Sequence, residues 1–143
     1  MTATRSTKEE SDYKKHRSVA GENCPFCSID SHHPQFISET VYFLIIKNRF
    51  PYSVWDGQVV LEHLMIIPKV HTDTLEDLPE DARDEYLNVT NHYEQNGYDI
   101  YTRAKQSTSR SVTHHHTHFI KTDHRQLRFV FMTRWPFYVR LSR

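Results

Sequence analysis

No stretch of the sequence approaches the roughly 20 apolar residues that a membrane-spanning helix requires. The opening, MTATRSTKEESDYKKHRS, also lacks the apolar core of a signal peptide, so the expectation is a soluble, cytoplasmic protein with no membrane partner. Cysteine is nearly absent. Cys24 and Cys27 are the only two, and in CPFC they are too few and too close to form the disulfide framework of a secreted fold. Metal or redox chemistry is the expectation for them instead. Acidic residues are almost missing from the far part of the chain: from Tyr101 onward nine Lys or Arg accompany the single acid Asp123, although the formal net charge is +0. Because the first hundred residues carry the compensating acids, general adhesion to nucleic acid is not expected. A local cationic surface facing a small phosphorylated ligand is compatible with this pattern, as is a solvated basic face.

A chain of 143 residues can bury one core, so a single domain is expected over residues 21–143, preceded by an arm at 1–20 that is flexible or a short surface helix. The run from Val41 to Ile46 suits a strand covered on both faces, and Val59 to Ile67 reads as a second strand stopped by Pro68. Trp55-Asp56-Gly57 marks a turn between them. Pro79 and the acids Glu80, Asp81, Asp84 and Glu85 mark the start of a helix that Asn96-Gly97 closes. Ala82, Tyr86, Val89 and Tyr93 share one face of it, ready to pack on a sheet. Tyr98 to Arg103 and Val112 to Thr122 read as strands, and the tail from Leu127 to Leu141 as two more, joined at Trp135-Pro136. The tail segment Trp135-Pro136-Phe137-Tyr138 suits specificity, a dimer contact or plain core equally.

Within Val112 to Ile120, the imidazoles of His114, His116 and His118 recur at every second position, so on an extended strand they leave from one face and converge. An uninterrupted terminal tag would not look like this. His-x-His-x-His followed by two apolar residues resembles the signature of the histidine triad superfamily. The resemblance extends upstream: Leu44 to Pro51 is similar to that family's strand and ribose-binding turn, and Glu62 to His71 to its following strand. From about Cys24 to Ile120 the order of landmarks fits.

The resemblance implies that His116 is a nucleophile toward phosphorus. Neutral imidazole suits the task near pH 7, because it attacks well and then leaves readily from the phosphoramidate it forms. By the same resemblance His118 donates to the phosphate, His63 approaches the triad, Ser111 offers a hydroxyl to the leaving-group atom, and Asn48 contacts the ribose hydroxyls. Each has a plainer alternative: a strand-end histidine, a core histidine, a loop serine, and an amide tying a turn. Arg103, Lys105 and Arg110 occupy the loop before the triad where many relatives carry Asn, Gly and Gln. They read either as a phosphate clamp or as a solvated charge run. Two further departures are His115 and Thr117 at positions usually apolar, which points to a partly wet face or a subunit boundary, and extra residues between Asn48 and His63.

CPFC supplies two thiolates, and a tetrahedral zinc shell needs two more ligands. Zinc-bearing members of the superfamily, including galactose-1-phosphate uridylyltransferase, complete it with a histidine after the second strand and the first of the triad. His71 and His114 match those places, so the resemblance implies a structural zinc held by Cys24, Cys27, His71 and His114. The alternatives are free thiols in a turn and a thioredoxin-like redox pair, but CPFC follows a charged arm rather than a strand. His32-His33, flanked by Ser31 and Pro34, read as solvent-facing loop residues.

Periodicity supplies the elements, including the extra C-terminal strands; the resemblance to histidine triad proteins implies their arrangement as an α+β domain, an antiparallel sheet of about five strands with one packed helix, paired as a homodimer. The implied reaction is hydrolysis at the α-phosphorus of nucleoside phosphoramidates or dinucleoside polyphosphates through a nucleotidyl-histidine, releasing a nucleoside monophosphate. Nucleotidyl transfer, or a zinc-stabilised module that binds nucleotides or nucleic-acid ends without turnover, are the alternatives.

Overall fold

The two longest apolar runs become paired strands at the centre of a sheet. In the computed structural model, which describes residues 5, 7–19, 24–132 and 138–141, a helix α1 (Thr7–Val19) precedes strands β1 (Phe36–Glu39), β2 (Phe43–Lys47), β3 (Val54–Trp55) and β4 (Gln58–Pro68). A 3-10 turn (Leu75–Asp77) leads to helix α2 (Glu80–Gln95), then β5 (Tyr98–Thr102), β6 (Thr117–Gln126), β7 (Phe129–Met132) and β8 (Tyr138–Leu141). The main sheet is antiparallel in the order β1-β2-β4-β6-β5, with β3 paired onto β4, and β7 and β8 form a separate ribbon. The architecture is the expected α+β class, with six strands in the sheet rather than about five.

Period-two alternation gives the sheet two covered faces. On one, Phe43, Ile45, Leu64, Ile66 and Phe119 pack with Ala82 of α2, and Tyr86, Val89 and Tyr93 lie against them, the helical stripe expected from the sequence. On the other, Leu44, Ile46, Met65 and Ile67 meet Ile29 and Phe26 from the CPFC segment. Burial on both sides explains why β2 reads as an unbroken apolar run. Asp56 and Gly57, with φ of 47° and 79°, form the two-residue turn between β3 and β4. Positive φ at both positions is what a tight hairpin matching strand twist requires, which is why Asp-Gly stands there. Pro79 lies one position before its expected place, as the N-cap of α2.

The strand expected from Val112 starts only at Thr117, so His114 and His116 precede β6. The backbone there finds partners outside the sheet. The His115 amide donates to the Thr72 carbonyl (2.6 Å), and the Arg110 guanidinium takes the carbonyls of Val112 (3.2 Å) and Thr113 (2.6 Å). His115 and Thr117 are not on a wet face either. Both are buried beneath α2, where the Tyr86 and Thr117 hydroxyls share a hydrogen bond of 2.8 Å. Trp135-Pro136-Phe137 lies outside the described residues, and Tyr138 opens β8. Among the described residues, no helix is long and apolar enough to cross a membrane.

Candidate active site

His63 and His118 reach the same place from neighbouring strands. In the β4–β6 register Met65 faces His118 and His63 faces Ile120, so both imidazoles leave the sheet face opposite α2, two positions apart on the diagonal. His63 Nε2 lies 2.9 Å from His118 Nδ1. The Tyr52 backbone N–H donates to His63 Nδ1 (3.1 Å), and a backbone amide can act only as a donor. The ring proton of His63 therefore sits on Nε2 and is donated to His118 Nδ1, which leaves His118 with its own proton on Nε2. Asn48 Nδ2, 3.0 Å from His63 Nε2, faces an N–H and makes no bond to it in this tautomer.

His116 is fixed by a similar device. Its Nδ1 donates to the His114 carbonyl (2.8 Å), so Nε2 carries the lone pair. The His116 and His118 rings stand edge to face at 5.2 Å, and the ring of Phe26 lies 5.3 Å from His116. Burial pushes the imidazoles of His116 and His118 below their ordinary range, and pushes His63 down to about 3, with the Arg5 guanidinium adding to the effect. All three rings are neutral near pH 7, the state an imidazole nucleophile needs.

This has a consequence for stability. Folding holds His63 and His118 neutral, whereas in the unfolded chain they take up protons below about pH 6.5. Because the unfolded state then binds more protons, the unfolding free energy falls as pH drops from about 6.5 toward the folded value near 3 of His63. Urea titrations between about pH 7 and 5, above the carboxylate range, are expected to show that decline, with a shallower slope in His63→Gln. A stability independent of pH over this window contradicts the neutral pair.

Cys24, Cys27, His71 and His114 form a second constellation, whose four donor atoms all lie within 4.8 Å of one another. Sγ of Cys24 is 3.4 Å from His114 Nδ1, and Sγ of Cys27 is 3.2 Å from His71 Nδ1 and 3.6 Å from His114 Nδ1. Zinc–sulfur and zinc–nitrogen bonds of about 2.3 and 2.0 Å at a tetrahedral angle set a sulfur–nitrogen edge of about 3.5 Å. The donor set and its spacing fit a metal ion. His114 Nε2 lies 3.0 Å from the Pro68 carbonyl, which places the proton there and turns the Nδ1 lone pair toward the thiols. His32 and His33 stay outside this group.

The other expected site residues divide. Asn48 does tie a turn, since its Oδ1 accepts from the Phe50 amide (2.9 Å). Together with His63, Tyr52 and Glu9 it also lines a cleft of about 450 Å³. Ser111 is exposed in the loop before His114. Arg103 comes to the histidines: its Nη2 donates to the Tyr52 hydroxyl (3.1 Å), and its charge depresses the pKa of His116 and His118. Lys105 instead pairs with Asp73 (2.7 Å), and Arg110 serves the carbonyls of Asp73, Val112 and Thr113. These two cations shape the loop rather than lining the cleft.

Three contributors escaped the sequence reading. Tyr52 acts through its backbone N–H, which no residue type encodes. Arg5 lies in a polar arm with no local motif. Phe26 had a visible signal, because the residues between the two cysteines of a knuckle are carried wherever the metal ligands go.

Several solved structures are similar to this chain. A HIT family hydrolase from Clostridium thermocellum is 22% identical with a TM-score of 0.52, over 71% of this chain and 92% of that one. A HIT family hydrolase from Legionella pneumophila Philadelphia 1 is 24% identical with a TM-score of 0.51, over 80% and 98%. A hypothetical histidine triad nucleotide-binding protein from Sulfolobus tokodaii strain 7 is 26% identical with a TM-score of 0.53, over 69% and 68%. The sequence matches no protein-family model and no curated protein. The chain has the histidine triad fold.

Proposed function

We propose that the protein hydrolyses nucleotide conjugates at the α-phosphorus, taking nucleoside phosphoramidates or dinucleoside polyphosphates and releasing a nucleoside monophosphate. The observation that carries this reading is the fixed tautomer of His116: a neutral ring with Nδ1 bound to the His114 carbonyl presents Nε2 as the nucleophilic atom. Nε2 attacks phosphorus, and the bond to the leaving group breaks with its electron pair passing to that group, which then takes up a proton. Water next attacks the nucleotidyl-histidine and gives up a proton to solvent, balancing the one the leaving group took up, while the phosphorus–nitrogen bond breaks with its electron pair returning to Nε2, so that His116 regains its neutral form. His118, with its proton held on Nε2 by the His63 contact, donates to a non-bridging phosphate oxygen as charge develops there. Asn48 contacts the ribose at the cleft it lines, and Ser111 serves the leaving-group atom.

Zinc, held by Cys24, Cys27, His71 and His114, is structural in this reading: a shell closed by four protein ligands offers no position to substrate. It ties the CPFC turn to the segment that carries His116. The catalytic domain spans residues 21–143 and pairs as a homodimer in the cytoplasm. The solved histidine triad hydrolases and the nucleotide-binding protein of the same fold support the nucleotide class.

A panel of adenosine and guanosine phosphoramidates, dinucleoside polyphosphates and nucleotide sugars tests it. The expected result is turnover of at least one of the first two classes, with saturable competition by AMP or GMP that depends little on salt. Binding without turnover that weakens steeply as salt rises points instead to a nucleic-acid-binding module.

A further inference from the structure

The arm before the catalytic domain reaches into the site. Arg5 Nε donates to the Phe50 carbonyl (2.9 Å), Tyr13 of α1 stands edge-on to Phe50 at 5.5 Å, and the Ser53 hydroxyl donates to Glu9. These contacts lay the arm along the turn that follows Asn48. The Arg5 guanidinium lies 4.3 Å from the ring centre of Tyr13 and 4.9 Å from that of Tyr52, and its side chain is only 15% exposed. Glu10 lies 3.6 Å from one of its amino groups. Arg103 bonds the hydroxyl of the same Tyr52 and sits over the Tyr101 ring at 5.2 Å. Among the described residues no carboxylate lies within ion-pair distance of Arg103.

Two guanidinium groups thus meet one tyrosine, whose ring is 4.7 Å from that of His63 and 6.0 Å from that of His118. Both charges act on His118, the ring whose remaining N–H is available to an anion. Glu10 offsets the charge of Arg5, whereas Arg103 has no such partner among the described residues, so its place beside neutral imidazoles is unfavourable unless a further anion joins it; guanidinium groups match the oxygens of a phosphoryl group with paired N–H donors.

We propose that Arg5, over the Tyr52 ring, and Arg103, at the Tyr52 hydroxyl, form a two-part anion site, which holds a second phosphoryl group of the substrate beyond the one at His116. This rests on the nucleotide reading of the site and narrows it to conjugates in which phosphate continues past the reacting phosphorus. It also makes the N-terminal arm part of the substrate-binding surface. Arg5 and Arg103 bind here; neither exchanges a proton in the reaction.

The test is calorimetric binding of inorganic pyrophosphate and of AMP to the full chain, its Arg5→Ala and Arg103→Ala variants and the double variant. Lys8→Ala, at an exposed position of the arm, controls for lost charge, and thermal melts check folding. Pyrophosphate is expected to weaken by roughly tenfold with each arginine variant, while AMP changes by less than about threefold. Arg5→Lys should recover only part of the loss, because an ammonium group cannot make the paired contact. Equal pyrophosphate binding by wild type and the double variant, or no binding by wild type, overturns the proposal. Failure of AMP to bind while pyrophosphate binds and responds to the variants counts against the nucleotide reading and leaves the anion site standing.

Discussion

Replacing His116 with alanine is expected to lower kcat by at least about four orders of magnitude with little change in the melting temperature. Loss of a nucleophile removes the covalent route altogether, and what remains comes from binding and charge stabilisation alone. The variant should still bind AMP, since His118, Asn48 and the cleft are untouched. A His118→Ala variant should keep measurable turnover, because it loses one donor to the developing phosphate charge, a change of about two to three orders of magnitude. His116 is not one of the four clustered metal-ligand candidates, so His116→Ala should also retain its metal. Steady-state kinetics on a nucleoside phosphoramidate, with AMP binding, thermal melts and metal content measured in parallel, checks these statements.

Removing the metal is expected to affect stability first. Linkage gives about 4 kcal/mol when free zinc stands about 1,000-fold above its Kd, and for a chain of this size that corresponds to a fall in Tm of about 10–15 °C. A chelator, or Cys27→Ser, should produce it, and added zinc should reverse the chelator effect. The His116→Ala variant should respond to chelator as the wild type does, since its ring lies outside the shell. Activity should fall with chelation as the His114 segment loosens, because the His114 carbonyl is what sets the His116 tautomer. Thermal melts with metal analysis measure this. A Tm indifferent to chelator and to Cys27→Ser contradicts a structural metal.

Much of the site is visible in the chain because strand periodicity carries it. Alternation puts His63, Met65 and Ile67 on one face of their strand and His118 and Ile120 on one face of theirs; that His63 approaches the triad was implied by the resemblance, and the β4–β6 register brings the two histidines together. The apolar stripe of α2 and the Asp56-Gly57 turn are legible for the same reason: each needs particular residues at fixed spacing. Alternation fails at His114 and His116, which converge although they precede the strand. Their placement comes from Arg110 and from the Thr72 carbonyl, partners distant in sequence. Polar residues at His115 and Thr117 point to a partly wet face or a subunit boundary, but the Tyr86 hydroxyl satisfies Thr117 inside the core. The partner was in the predicted stripe, yet a stripe of apolar faces does not announce where a hydroxyl points. Lys105 and Arg110 looked equivalent to Arg103 as loop cations. Only the fold separates them, by placing Asp73 beside Lys105 and backbone carbonyls around Arg110. Arg5 is the extreme case, since nothing near it in sequence connects it to a histidine pair more than fifty residues away.

Turnover by this route forms a bond between His116 Nε2 and phosphorus. Rapid quenching of the wild-type protein with a slowly cleared nucleoside phosphoramidate or dinucleoside polyphosphate, under conditions that preserve phosphoramidates, followed by peptide mass spectrometry, tests that bond directly. The predicted result is one nucleotidyl group on the peptide carrying His114 to His118, localised to His116 and absent from His116→Ala. Turnover with no protein-bound nucleotide at any time, or a nucleotidyl group found on another residue, contradicts it.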